Sequence, residues 1–295
     1  MSVRVDAGRL AVEIQGQGGA RLEPPDGNGV WRFPGQAATA VGFSGQEYGP
    51  ADYLVLYDSG LAIEMPRLDP DPDLPTAAEL WELRRAGIGL DRRAAPRSIA
   101  MTGTVDFAHQ AVGGGTTTLA RGLDRFRESI DLGDFGAMAA GRSARGTWSE
   151  SMFEPSRWLD GGDRDVALVR NPMLLLTDWR ESYDQVEVVR SRLLDDRPVF
   201  EVNVAQDGRE VSTYSVDAES GLVVQEVVSV PVLGVATMNL TFEMSDYREV
   251  EGLQMPFRVE MMTVAIGRAE YVIAEIHFDR ELAESEFESP LAAAR

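Results

Sequence analysis

The chain contains no cysteine and no lysine. Without cysteine there is no disulfide, no thiolate nucleophile and no cysteine-ligated metal. Without lysine, all 28 basic residues are arginine, set against 48 acidic ones, for a formal net charge of −20 over 295 residues. Neutralising phosphates requires a basic face, so this balance argues against nucleic acid as a partner. It also disfavours a polybasic attachment to anionic lipid. Histidine is scarce, and neither His109 nor His277 has a second ligand at metal spacing. No run of 18 apolar residues exists, so nothing reads as a spanning helix. No charged and then apolar leader opens the chain. An envelope protein needs one, so the expectation is a trimmed chain, a piece of a longer one, or a cytoplasmic protein.

Catalytic motifs are missing too. GFSGQ (42–46) and GRSAR (141–145) lack the final glycine of a nucleophile elbow. GQGGAR (16–21) fails the dinucleotide fingerprint at its last position, and the GGG at 113–115 reads as a hairpin tip that opens no helix. Asp69, Asp71 and Asp73 have the spacing of a calcium loop, but neither its glycine nor its closing glutamate follows. No catalytic, cofactor-binding or metal-ligating residue is therefore assigned, and no enzyme activity is expected.

A composition 44% hydrophobic is enough for a real core. Residues 1–66 read as a small all-β module of short strands broken by glycine-rich turns. RLDPDPDLP alternates proline and aspartate and reads as an extended linker over 67–76. Thr76 and Glu79 form a capping box that starts a helix with an apolar stripe of Leu80, Trp81 and Leu83, stopped by GIG at 87–89. Short strands follow: SIAMTGTVDF, TTTLAR, DRFRESIDL, FGAMAAG and GTWSES. PMLLLTDWRESYD (172–184) predicts a second helix, with Asn171 as N-cap, Pro172 at N1 and Leu175, Trp179 and Tyr183 on one face.

From Pro198 onward the chain reads as successive hairpins: PVFEVNVA, turn QDG, REVSTYSVD, turn AESG, LVVQEVVSV, then VATMNLTFEMSDY, turn REVEG, LQMPFRVEMMTVA, turn IG, RAEYVIAEIHF. Short links make each strand the antiparallel neighbour of the last. The order Tyr214, Asp217, Gly221, Leu222, then Asp246, Tyr247, Arg248, Gly252, Pro256, Phe257, then Phe287 and Pro290 resembles the LolA/LolB/LppX-like superfamily of outer-membrane lipoprotein-sorting proteins, over about residues 77–290. These are turn and packing residues, so the resemblance speaks to fold before function. It implies a mainly β domain, a curved antiparallel half-barrel with helices on its concave face, followed by a tail at 291–295. The N-terminal module is similar to β-modules appended to periplasmic hydrolases, which would imply a catalytic domain upstream.

A sheet of this kind must cover one face with apolar groups. Within each strand alternation puts one apolar row on a shared face: Met238, Leu240, Phe242 and Met244 in the first, Phe257, Val259 and Met261 in the second, and Ile99, Met101, Val105 and Phe107 in the third. With Leu175, Trp179 and Tyr183 above them, these residues are the candidate lining of an apolar cavity, and adaptable methionine suits such a site. By resemblance, the expected function is non-catalytic binding of a lipid, acyl chain or lipoprotein in the periplasm or cell envelope, as carrier or sensor. The partner would be that apolar molecule, with no cofactor, no nucleic acid and no transmembrane segment. The alternative is an accessory region of a larger periplasmic hydrolase, with its core filled. The linker composition predicts that limited proteolysis cuts between Arg67 and Thr76 and leaves two folded pieces. A protected segment, with the whole chain unfolding as one cooperative unit, would contradict the split.

Overall fold

The computed structural model describes residues 2–6, 9–14, 18–21, 31–33, 36–44, 53–58, 61–66, 74–152, 155–232, 236–263 and 267–289. The chain divides into two units, Met1–Asp71 and Pro72–Arg295. In the first, β1 (Ser2–Asp6), β2 (Arg9–Ile14) and β3 (Gly18–Arg21) form one antiparallel sheet. β4 (Trp31–Phe33), β5 (Gln36–Ser44), β6 (Tyr53–Asp58) and β7 (Leu61–Pro66) form another. Most of the expected linker, including Asp69, Asp71 and Asp73, lies outside the described residues, as does Pro290.

The second unit opens with α1 (Ala77–Ile88). Its capping box is formed as the sequence predicts: Thr76 Oγ1 accepts from the Glu79 amide at 3.2 Å, and Glu79 Oε2 accepts from the Thr76 amide at 2.8 Å. Two orphan donors of the first turn are thereby satisfied. Gly89, left-handed at φ 100°, ends the helix. The buried stripe is Leu80, Arg84 and Ile88, four residues apart, so an arginine occupies the position that the pattern assigns to a hydrophobe.

Thirteen antiparallel strands then build one open sheet. β8 (Ser98–Phe107), β9 (Val112–Arg121), β10 (Arg125–Asp131), β11 (Ala137–Ser143), β12 (Gly146–Ser151) and β13 (Arg157–Leu159) run outward to one edge. A crossover carries the chain to the opposite edge. From there β14 (Gln185–Leu194), β15 (Arg197–Gln206), β16 (Arg209–Asp217), β17 (Val223–Val232), β18 (Ala236–Val250), β19 (Leu253–Thr263) and β20 (Gly267–Phe278) return inward, and β20 pairs with β8. The crossover contains α2 (Gly161–Val169), which touches β11 and β12 on one wing and β16 and β17 on the other. Seven strand spacings separate β11 from β17 in the sheet order, roughly 34 Å if flat. A nine-residue helix is only about 13 Å long. The sheet therefore wraps around α2, which is the half-barrel the sequence implies.

Three readings of the sequence are corrected. The residues of the GGG tip lie within β9; the turn falls at 108–111, before them. A Cβ on Gly114 would sit 2.0 Å from the Asp131 carbonyl oxygen, so this glycine permits close strand approach. The turn REVEG shortens to Glu251 and Gly252, both at positive φ, and β18 runs to Val250. Such a pair makes a two-residue hairpin loop compatible with strand twist. Finally, 172–184 is not one helix. Asn171 does cap Pro172–Leu176, but that turn and Trp179–Glu181 are two separate 3-10 turns. The carbonyls of Leu175 and Thr177, which a continuous helix would give to amides further on, accept from Arg84 at 3.0 and 3.4 Å. Asp178 starts the second turn by accepting from the Arg180 amide. The helix of this crossover, α2, lies earlier, behind a Gly-Gly start that the sequence pattern disguises.

The convex face has its own cover. Ala100 and Leu119 pack with Leu282 and Phe287 of the C-terminal segment, and Trp148 Nε1 donates to the Phe287 carbonyl at 3.2 Å. At the Asp217 turn, Gly221 has φ 72°, and a Cβ there would lie 2.5 Å from the Leu83 carbonyl oxygen of α1. Gly221→Ala is expected to destabilise the large unit by about 2–4 kcal/mol, since both strain and clash arise at once. Equilibrium denaturation checks this; a change under 0.5 kcal/mol would contradict the docking of α1 on this turn.

Candidate apolar ligand cavity

The concave face is built row by row from strand alternation. On β18, Leu240, Phe242 and Met244 face inward and pack with Val259 and Met261 of β19. On β8 the inward row is Ile99, Met101, Gly103, Val105 and Phe107. Above them, Leu174 and Leu175 of the crossover form a roof. Between roof and sheet lies a cavity of about 130 Å³, lined by Met101, Leu175, Phe242, Met244 and Val259 from the expected set, together with Met255, Tyr271 and Ile273.

The rest of the expected lining sits around it. Ile99 and Phe257 belong to one packed cluster, Val105, Phe107, Leu240 and Met261 to a second, and Trp179 to a third. Tyr183 bridges the last two clusters and lines a separate recess of about 410 Å³ beside α2. Met238 is half-buried, its sulfur 3.3 Å from the Thr263 hydroxyl.

Polar residues that the alternation alone did not single out also line the cavity. Glu226 of β17 stands between Tyr214 of β16 and Phe242 of β18 in register, and only 4% of it is exposed. Ser212 Oγ donates to it at 2.8 Å, and the Tyr214 hydroxyl bonds it as well. Burial pushes its carboxyl up to about 7, against these two hydrogen bonds, which favour the charged form. Among the described residues no cation pairs with it. A second inward glutamate, Glu128 of β10, has a different fate: Arg170, at the end of α2, forms an ion pair with it and donates to the Tyr271 hydroxyl at 3.3 Å. Thr116 of β9 lines the cavity, and its buried hydroxyl has no hydrogen-bond partner. Asn171 is spent on structure, donating to the Gly122 carbonyl and accepting from the Met173 amide.

Beside the cavity runs a stacked column. The Arg84 guanidinium lies 3.6 Å from the centroid of Trp179, and Trp179 stacks on Tyr214 at 4.1 Å. Tyr214 then meets Tyr183 at 3.4 Å between hydroxyls. Burial lowers the Arg84 pKa to about 10, still charged at neutral pH. The face of Trp179, that of Trp81 at 5.5 Å and the two carbonyls of the crossover stand in for a carboxylate partner.

The histidines sit far from this arrangement in character. His277 is exposed, 3.4 Å from Glu275, and His109 Nδ1 accepts from the Arg268 amide at 3.4 Å. Among the described residues no group of three or more His, Asp or Glu is placed to hold a metal ion.

No protein-family model matches the sequence, and no curated protein matches it. Solved structures do. A LolA superfamily protein from Nitrosomonas europaea aligns over 74% of this chain and 100% of its own, with a TM-score of 0.51 and 12% identity. A putative outer membrane lipoprotein-sorting protein domain from Vibrio parahaemolyticus aligns over 71% and 94%, at TM-score 0.47 and 12% identity. A DUF1329 family protein from Desulfovibrio piger aligns over 72% and 97%, at 0.48 and 11%. The first of these shows the fold: the large unit is LolA-like, as its turn residues imply.

The raised pKa of Glu226 carries a stability consequence. The folded state holds the proton more tightly than the unfolded chain, so stability falls as pH rises from about 4.5 to about 7 and the loss persists above that. Glu226→Gln is therefore expected to stabilise the large unit by about 2–3 kcal/mol at pH 8 and to change little at pH 4. Denaturation midpoints at the two pH values check this; an equal effect at both would contradict a buried, unpaired carboxyl.

Proposed function

We propose that the large unit is a non-catalytic binding domain that holds an apolar ligand, an acyl chain, in its half-barrel, acting as carrier or sensor in the cell envelope. The observation that carries this reading is the cavity of about 130 Å³ between the crossover roof and the Phe242, Met244 and Val259 floor. Its size resembles that of an apolar cavity known to admit benzene. A short alkyl segment fits the closed form, and a longer chain requires the roof of Leu174 and Leu175 to shift. Such a shift would have to release the Arg84 bonds to the Leu175 and Thr177 carbonyls, which tie the roof to α1. The LolA-like fold supports the compartment and the class of ligand, and no helix among the described residues is long and apolar enough to cross a membrane.

A homologous series of acyl esters tests the reading. Each added methylene is expected to tighten binding roughly fourfold, from about 0.8 kcal/mol of apolar transfer, until the cavity is full. Phe242→Glu is expected to abolish binding, because a second carboxylate there must be desolvated. Absence of saturable binding at any chain length, with Phe242→Glu unfolding the unit, would show a filled core and favour an accessory role.

A further inference from the structure

The cavity's polar atoms discriminate among ligands that its walls would treat alike. Thr116 lines the cavity from β9, and its hydroxyl is buried with no partner. Glu226 lines it from β17, five strands away across the sheet order. Glutamate in an inward row costs stability unless something offsets it, and Glu226 receives only Ser212 and Tyr214. A buried hydroxyl without a partner is a second irregularity of the same cavity.

We propose that this cavity holds the ester group of an uncharged acyl lipid, with Thr116 and Glu226 as its polar anchors, and discriminates against the carboxylate of a free fatty acid. The proposal rests on the binding role argued above and adds the headgroup class. Two observations carry it. The charges along the cavity are Glu128, Glu226 and Arg170, and Arg170 is already committed to Glu128. An anionic headgroup entering here meets two carboxyl groups and no spare cation. The cavity's unspent donors include the Thr116 hydroxyl, buried and without a partner, and, when protonated, the Glu226 acid itself. An acceptor-only group such as an ester suits donors of this kind.

The surroundings of Glu226 fix how binding responds to pH. From β16 it faces Ser212 and Tyr214; from β18, Phe242; from the crossover, Tyr183 through Tyr214. α2 also packs on β17, but its Asp165 is held by Arg164 at 2.9 Å and by Arg209 of β16 at 2.8 Å. Across the cavity stand Glu128, Arg170 and Tyr271. A neutral ligand strips water from Glu226, which favours the protonated acid still further. Ester binding therefore takes up a proton above neutral pH and weakens as pH rises.

Calorimetric titration of the full chain with 1-lauroylglycerol and with laurate, below their micellar concentrations, tests this. Wild type is expected to bind 1-lauroylglycerol at pH 6 and roughly tenfold more weakly at pH 8.5, with proton uptake read from buffers of different ionisation enthalpy. Laurate should bind at least tenfold more weakly than the ester at pH 6. Glu226→Gln, which mimics the neutral acid, should bind the ester at the wild-type pH 6 affinity at both pH values. Thr116→Val should lose several-fold in ester affinity and keep the pH slope. Laurate binding as tight as the ester, or ester binding by wild type that ignores pH, would overturn the proposal and leave the apolar cavity standing. Failure of both probes on both wild type and Glu226→Gln would overturn the cavity reading along with it.

Discussion

The large unit depends on one strand pairing. β8 begins the sheet and β20 ends it, and the two lie side by side, with Ile99 opposite Phe278 and Val105 opposite Tyr271. This pairing joins two meanders into a single sheet and leaves their outer strands, β13 and β14, at opposite edges. The chain between those edges must cross the sheet, and the residues that cross become the filling of the half-barrel. A register shift between Ile273 and Glu275 sits within this central pair, opposite Gly103, where a Cβ would lie 2.2 Å from the Val272 carbonyl oxygen. A bulge at this point sharpens local twist and bends the strand, which suits a sheet that must wrap around its own crossover.

The crossover fills the hollow incompletely because its backbone is pinned. Arg84 reaches from α1, takes two of its carbonyls and presses on Trp179. A helix through 172–184 would satisfy those carbonyls itself and present a denser face. The 3-10 turns leave space beneath Leu174 and Leu175, and the space meets the inward methionines Met101, Met244 and Met255. Packing, in this account, decides the cavity's shape, while the inward glutamates and threonine decide its chemistry.

Much of this was legible in the sequence. Turn pairs such as Asp207–Gly208 and the Asp217–Gly221 loop mark the hairpins because positive φ and side-chain capping need those residue types. The capping box at Thr76 and the left-handed Gly89 bound α1 for equally local reasons. What escaped was decided over long distances. Helical spacing suggested a continuous helix at Leu175, Trp179 and Tyr183, and a residue 91 positions away from Leu175 broke it. Glu128 and Glu226 were missed; Glu128 alternates with Phe126 and Ile130, a signal that could have found it, but only the folded structure shows that it meets Arg170 and that Glu226 meets no cation among the described residues. The methionine rows read as apolar in the sequence, yet alternation cannot separate Met101, at the cavity, from Ile99, in the filled core.

The central claim is that an acyl chain enters the space between the crossover and the sheet. A crystal structure of the chain grown with a monoacylglycerol brominated at its terminal methylene tests it most directly. The account predicts an anomalous bromine peak inside the large unit, among Met101, Phe242, Met244 and Val259, with the ester oxygens toward Thr116 and Glu226. A cavity closed by side chains, with bromine only on the outer surface at saturating probe, would contradict it.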